Sequence, residues 1–277
     1  MGVRRGSSSV NVLFRWVRQQ SIKVKIFLGT TIALCSLIAL RFMVKDHDHF
    51  YIASEAVHLA GIMVLFFKLT TRKTCSGLSL KTQELTAIFL TARLICSTLM
   101  ERDMHTLLDL TTLLCTSLVI YMIRFRLKSS YIKEFDNMLV CYLVVPSIIL
   151  AVFIHPASLN GTLNNFVLTR ILWAFCVYLE SVSILPQLRL MQNAKMIEPF
   201  TSHYVFALGV SRFLALADWI IQIYEIHEAY LFLIGNGYFW FMAAFLSEII
   251  QSFILADFCY YYIKSVMQGQ LLMRMPV

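Results

Sequence analysis

The sequence of 277 residues has few charged side chains and few residues that favour turns. Charged residues make up 14% of it, whereas soluble domains average about 25%. Its 10 glycines and 5 prolines are too few for a collagen, a disordered chain or a loop-rich disulfide scaffold. Cys-x-x-Cys, Walker A, Gly-x-Gly-x-x-Gly and Gly-x-Ser-x-Gly motifs are absent. We therefore expect no metal site, no cofactor and no enzymatic activity.

Apolar residues dominate the composition instead, at 58% of the chain with a mean hydropathy of +0.70. Such a chain cannot cover itself with a water-compatible surface, so the sequence predicts an all-α polytopic membrane protein. A bilayer-spanning helix needs about 20 largely apolar residues. Eight segments meet that requirement: Ile26–Val44, Ile52–Leu69, Leu85–Met100, Leu107–Ile123, Met138–Ile154, Phe166–Leu185, Tyr204–Tyr224 and Trp240–Ile263.

The basic residues predict the orientation of these spans. The formal net charge is +8, with 24 Lys and Arg against 16 Asp and Glu. Seventeen of the 24 fall in one alternating set of loops and termini, two in the opposite set and five inside spans. Because basic loops stay in the cytosol, both termini are expected there. The positive charge is thus a topology signal, and we expect the lipid bilayer, and no nucleic acid, as a partner.

Three predicted regions divide the chain. Residues 1–50 form a basic cytosolic N-terminus with an extra, uncleaved membrane anchor at Ile26–Val44, residues 51–269 a seven-helix domain and residues 270–277 a short cytosolic tail. Asn160 begins an Asn-Gly-Thr glycosylation sequence in a loop that this orientation places in the lumen. The apolar stretch Tyr230–Gly237 is too short to cross and is expected at the interface or as a re-entrant segment.

Ionisable residues inside the spans are the main functional signal, because charges at bilayer depth are costly and normally face a partner or a cavity. Two interpretations stay open at this stage: structural ion pairs between helices, or a polar cavity open to the lumen. His58 follows Glu55 by three residues on one helix face, where protonation could sense pH. The residues concerned are Glu55, His58, Arg93, Arg170, Glu180, Arg212, Asp218, Glu248 and Asp257.

A faint internal repeat supports a cavity between two halves. Thr82 precedes Arg93 by eleven residues, and Thr201 precedes Arg212 by eleven. Two parallel three-helix units, joined by the fifth span, would give this spacing. That arrangement resembles the small sugar transporters called SWEETs, whose site lies between the halves near mid-membrane.

Several motifs resemble the ER lumen protein-retaining receptors, also called KDEL or HDEL receptors, in family order over about residues 51–269. The motifs are HLA at 58–60, RKTCSGLSLKTQ at 72–83, LVVP at 143–146, ILWAF at 171–175, YLESV at 178–182, ILPQL at 184–188, TSHY at 201–204 and DF at 257–258. The resemblance implies a seven-helix, SWEET-like core that captures C-terminal tetrapeptides of ER proteins in the acidic Golgi and releases them in the ER.

The resemblance also implies roles for individual residues. Arg93, Trp173 and Arg212 match ligand-binding positions, and His58 and Glu180 match the proton-sensing set. As ionisable residues inside the spans, Glu55, Arg170 and Asp218 are further candidates for the cavity wall. C-terminal retention peptides and vesicle coat proteins are the partners that this reading implies.

Other positions depart from the family pattern and predict an altered ligand specificity. Family arginines are replaced by Tyr51 and Gln222, an aspartate by Cys96, a glutamate by Arg170 and a tyrosine by Ser211. The lysine-rich tail of the family is Gln-Gly-Gln-Leu at 268–271. A SWEET-like transporter of small solutes and a membrane scaffold without a ligand are the alternative functions.

Overall fold

A computed structural model of the protein describes residues 48–100, 104–156, 167–194, 198–225 and 238–268. Four sequence-based predictions lie outside these residues: the anchor at Ile26–Val44, the glycosylation site at Asn160, the segment Tyr230–Gly237 and the tail at 270–277. Residues 51–269 therefore contain nearly all of the described structure.

Within the described ranges the regular structure is helical, and it contains no strand. The α-helices are α1 (Asp48–Arg72), α2 (Leu80–Met100), α3 (Met104–Tyr121), α4 (Cys141–Phe153), α5 (Val167–Val182), α6 (Leu185–Asn193), α7 (Pro199–Glu225) and α8 (Trp240–Met267). A π-helical turn at Met122–Arg126 extends α3. Within the part of the chain that the structure describes, five segments are long and apolar enough to cross a membrane: Phe50–Arg72, Thr106–Arg126, Val167–Asn193, Pro199–Glu225 and Trp240–Met267. With α2 and the shorter apolar α4, they confirm the seven-helix core.

Helix ends differ from the predicted spans where the first turn is polar. Helices α2 and α7 each begin five residues before the apolar runs at Leu85 and Tyr204. Ser79 caps α2, because its Oγ accepts a hydrogen bond from the Thr82 N–H at 3.1 Å. The predicted span Phe166–Leu185 ends as helix α5 at Val182, and a separate helix α6 follows with Pro186 in its first turn.

The helices pack as two equivalent three-helix units. Helix α3 contacts both α1 and α2, and α8 contacts both α5 and α7 in the same way. Between the units, α1 packs against α7 and α2 against α5, while α4 packs against α5 as the linker. This packing confirms the two parallel repeats predicted from the spacing of the threonines and arginines.

Residues that cross between the units hold one end of the core together. Lys68 and Gln187 each precede the threonine of their own repeat by fourteen residues, and each contacts the threonine of the other. Lys68 Nζ donates to Thr201 Oγ1 at 2.8 Å, and the Gln187 backbone N–H donates to Thr82 Oγ1 at 2.9 Å. The buried Lys68 also pairs with Glu198 at 2.7 Å. We call this end of the core the Lys68 end.

The loop after α3 closes the Lys68 end further through Asp136. This carboxylate accepts hydrogen bonds from Ser79 Oγ at 2.8 Å and from Tyr131 OH at 2.7 Å. Burial and the nearby Asp136 raise the pKa of Tyr131, so the phenol stays protonated and keeps donating. The Cys75 N–H donates to Ser130 Oγ at 3.1 Å, and burial raises the pKa of the Cys75 thiol. These hydrogen bonds tie the loop after α3 to the segment between α1 and α2 at this end.

Candidate ligand-binding site

A cavity of about 210 Å³ lies between the two units, toward the end opposite the Lys68 end. Helices α1, α2, α5, α7 and α8 provide its wall. The lining residues are Tyr51, Ser54, Glu55, Arg93, Trp173, Cys176, Val177, Glu180, Arg212, Ala215, Asp218, Trp219, Gln222, Trp240 and Glu248. The inter-repeat site expected from the SWEET-like fold thus corresponds to a real cavity.

Position along the helices separates the wall into an aromatic rim and a charged floor. Tyr51 and Trp240 lie in the first turns of α1 and α8. Arg212 lies thirteen residues before the end of α7, which is about 20 Å at 1.5 Å per residue. The rim also carries the acidic Asp218 and the polar Gln222, and Glu55 follows Tyr51 by one helical turn, so the two levels overlap.

Arg93 is the centre of the charged floor and contacts carboxylates from three other helices. Its Nε donates to Asp109 Oδ2 at 2.9 Å, and its Nη2 donates to Asp109 Oδ1, which makes a two-pronged pair. Its Nη2 also lies 3.1 Å from Glu55 Oε2, and its Nη1 lies 3.2 Å from Glu180 Oε2. Arg93 and its three carboxylate partners are all buried, with at most 6% of each residue exposed.

Glu180 connects this arginine to a second one, Arg212. Its Oε1 pairs with Arg212 Nη2, while its Oε2 faces Arg93. Gln251 Nε2 donates to the Glu180 backbone oxygen at 3.1 Å, which ties α8 to the same point. Breaking a buried ion pair typically costs about 3–5 kcal/mol. The network therefore stabilises the contact between units as well as shaping the floor.

His58 lies below the floor rather than in the large cavity. It is 2% exposed, and its Nδ1 lies 4.0 Å from Glu55 Oε2. Among the described residues Nδ1 has no hydrogen-bond partner. His58 and Arg212 both line a second cavity of about 20 Å³, large enough for one water molecule. The imidazole thus lies beside Arg212 and beside Glu55, the carboxylate that pairs with Arg93. A change in its charge would alter the electrostatic energy of both arginines.

The predicted site residues divide into two groups in the structure. Arg93, Trp173, Glu180, Arg212, Glu55 and Asp218 line the large cavity. Asp218 Oδ2 accepts a hydrogen bond from Gln222 Nε2 at 2.7 Å. Arg170 is not among the lining residues, and its Nη1 donates to the Pro156 oxygen at 3.3 Å.

The positions that depart from the family pattern divide in the same way. Tyr51 and Gln222 line the cavity and so contribute directly to its chemistry. Ser211 instead lies between helices, with its Oγ 3.2 Å from Ser54 Oγ. Cys96 is buried, and its Sγ donates to the Thr169 oxygen at 3.7 Å. Of these four positions, Tyr51 and Gln222 are therefore the two that line the cavity.

Reasoning from the sequence missed Asp109, the residue that holds Arg93 most closely. It is an acidic residue inside the predicted span Leu107–Ile123, the next span after the one that contains Arg93. That position is itself the signal, because ionisable residues inside spans normally pair with one another. Trp219 and Trp240 were also missed, since nothing in their spacing marks them as lining a cavity.

Comparisons with known proteins agree with this architecture. The family model described as ER lumen protein retaining receptor matches residues 74–222. The chain is 34% identical over 230 residues to the ER lumen protein-retaining receptor erd-2.2 of Caenorhabditis elegans, covering 82% of this chain and 99% of the relative. It is 34% identical to receptor 3 of Xenopus laevis, covering 82% and 99%. It is 32% identical to the receptor of Dictyostelium discoideum, covering 80% and 96%.

Proposed function

The chain belongs to the ER lumen protein-retaining receptor family, and from that membership we propose that its cavity binds C-terminal retention peptides of luminal proteins under proton control. The receptor would return these proteins from the Golgi to the ER with a specificity altered from the KDEL and HDEL signals. Arg93, Trp173 and Arg212 would bind the peptide, and His58 and Glu180 would respond to protons. Vesicle coat proteins would be its cytosolic partners.

The observation that carries this proposal is the set of carboxylates around Arg93. A peptide's terminal carboxylate has the same planar geometry as the Asp109 carboxylate, which binds Arg93 in two-pronged fashion. Arg93 also lines the cavity, so a ligand in it can reach the guanidinium. The floor is therefore built to hold a carboxylate, and internal side chains supply that carboxylate before a ligand arrives.

Proton dependence follows from the balance of charges at the floor. Glu55, Asp109 and Glu180 surround Arg93, so a ligand carboxylate adds a further negative charge to a buried, already acidic group. Protonation of a resident carboxylate or of His58 offsets that charge. The charged groups around His58 are Glu55, Arg93, Asp109, Glu180 and Arg212. Ligand binding should therefore take up protons, so affinity is highest at low pH and falls as pH rises.

Sidedness supports capture from the lumen. With both termini in the cytosol, the beginning of α1 and the end of α7 face the lumen, as does the cavity rim. The Lys68 end, which is held together by hydrogen bonds, then faces the cytosol. A site that is accessible from one side suits a receptor, whereas a transporter would have to break these bonds in each cycle.

Peptide binding to the purified full-length protein tests the proposal. Peptides ending in Lys-Asp-Glu-Leu or in the neutral analogue Lys-Asn-Gln-Leu, each as free acid and as amide, are titrated at about pH 5.5 and 7.4, on either side of the usual histidine pKa. We expect at least one free-acid peptide to bind at the lower pH. Its affinity should fall at the higher pH, and it should exceed the affinity of the corresponding amide.

A variant that keeps the charge but loses the two-pronged geometry provides the matched comparison. Arg93→Lys should lower the affinity for the free-acid peptide roughly tenfold or more, because lysine cannot pair with a carboxylate through two parallel N–H bonds. Arg124→Lys alters an exposed arginine paired with Glu84 and should leave affinity unchanged. If no free acid binds better than its amide at either pH, the proposed function is wrong.

A further inference from the structure

We propose that the cavity selects ligands that carry a cationic group, an ammonium or a guanidinium, over ligands with acidic side chains. For peptide ligands this inference rests on the proposed function, and it names the side-chain chemistry that accompanies the terminal carboxylate. The KDEL and HDEL signals contain two acidic residues, so the inference predicts a signal of different charge.

The charges that line the cavity are the first argument. Among the lining residues that the structure describes, four side chains are acidic, Glu55, Glu180, Asp218 and Glu248, and two are basic, Arg93 and Arg212. Both arginines already form ion pairs with carboxylates of the protein. An acidic ligand side chain would therefore enter a wall of net negative charge, whereas a cation would meet opposite charge.

Glu248 offers an acceptor for such a cation. Its Oε2 is buried and has no hydrogen-bond partner in the described part of the chain, and the residue belongs to the cavity wall. A buried carboxylate oxygen without a donor is costly, because it has lost water without replacing it. An ammonium or guanidinium of a ligand would provide both the missing donor and the opposite charge.

The aromatic rim supports the same ligand chemistry. Trp173, Trp219 and Trp240 line the cavity together with Tyr51. Cations bind to aromatic faces, with tryptophan the most favourable, and the interaction strengthens where water is excluded. Carboxylates gain nothing comparable from these rings. A cation that enters past the rim would thus be stabilised before it reaches Glu248.

Two lining residues near the rim offer no positive charge to an acidic ligand side chain. Tyr51 and Gln222 are both uncharged, and both line the cavity. Gln222 Nε2 donates to Asp218 Oδ2 at 2.7 Å, so its amide group is directed to a carboxylate of the protein. A ligand aspartate or glutamate at this level would face that carboxylate and an uncharged amide.

Competition between peptides of different charge tests the inference. Free-acid peptides ending in Lys-Lys-Lys-Leu, Lys-Asn-Gln-Leu and Lys-Asp-Glu-Leu are compared on the full-length protein, with agmatine as a small cation that lacks a carboxylate. We expect the basic peptide to bind about tenfold or more tighter than the acidic one. Binding of the acidic peptide as tight as that of the basic one overturns the inference and leaves the proposed function standing.

Substitutions on α8 test whether Glu248 is the residue that produces the preference for the basic peptide. Glu248→Gln should reduce the advantage of the basic peptide about tenfold, and Asp257→Asn should leave it unchanged, because Asp257 is exposed on the same helix and does not line the cavity. If no peptide binds but agmatine binds in a Glu248-dependent way, the proposed function fails and cation selection stands. If neither agmatine nor any peptide binds to folded protein, or if Glu248→Gln has no effect, the inference is wrong.

Discussion

At the scale of single residues, the buried charges of the core act as a group around Arg93. The sequence predicts that Arg93, Glu180 and Arg212 matter, because ionisable residues inside spans need partners. It does not predict which partner each one takes, since that depends on how the helices are rotated about their axes. Asp109 illustrates this limit: it contacts Arg93 more closely than any residue selected from the sequence.

Asp109→Asn tests whether the resident carboxylate competes with the ligand. The substitution keeps the shape of the side chain but removes one negative charge from Arg93, which retains Glu55 and Glu180. Affinity for a free-acid peptide at about pH 7.4 should rise roughly tenfold, and the difference between neutral and acidic pH should shrink. Direct titration of the peptide ending in Lys-Asn-Gln-Leu measures both effects.

Glu84→Gln is the control for this substitution, because Glu84 on α2 forms an ion pair with the exposed Arg124. It should change neither the affinity nor its pH dependence. An Asp109→Asn protein that melts at a similar temperature but binds no more tightly at neutral pH would show that Asp109 does not compete with the ligand.

At the scale of helices, hydropathy predicts which segments cross the membrane but not where the helices end. The first turns of α2 and α7 are polar because they lie at the Lys68 end, where they form hydrogen bonds to other elements. Hydropathy misses these turns because it records apolar composition and not burial, and Thr82 and Thr201 are polar but fully buried. The predicted span Phe166–Leu185 ends within three residues of the end of α5, but α6 was not predicted, because its sequence LPQLRLMQN is short and rich in polar residues.

Lys68→Met tests whether the cross-unit contacts at the Lys68 end stabilise the fold. Methionine has a similar length, but it cannot donate to Thr201 Oγ1 or to the Ser76 oxygen, and it leaves Glu198 without its ion pair. We expect the free energy of unfolding to fall by about 2–4 kcal/mol, which would be measured as a lower melting temperature in detergent. Lys264→Met, at an exposed position near the end of α8, should melt like the wild type. Equal melting of both variants would contradict a stabilising role for Lys68.

At the scale of the whole molecule, the internal repeat gives the fold its two units, and the candidate site lies between them. The sequence predicts two units and a cavity between them from matched threonines and arginines, and the helix packing confirms the units. The aromatic rim could not be predicted in full, because Trp219 and Trp240 face the cavity only once the two units are packed together. Repetition thus places the charged floor at the junction of the units.

The proposed linkage between binding of a terminal carboxylate and proton uptake can be measured by calorimetry. The peptide ending in Lys-Asn-Gln-Leu, as free acid, is titrated into the full-length protein at about pH 6.5, near the usual histidine pKa. Buffers of different ionisation enthalpy give the number of protons exchanged. We expect uptake of about one proton per peptide bound. Binding with no proton exchange, or with proton release, would contradict this linkage.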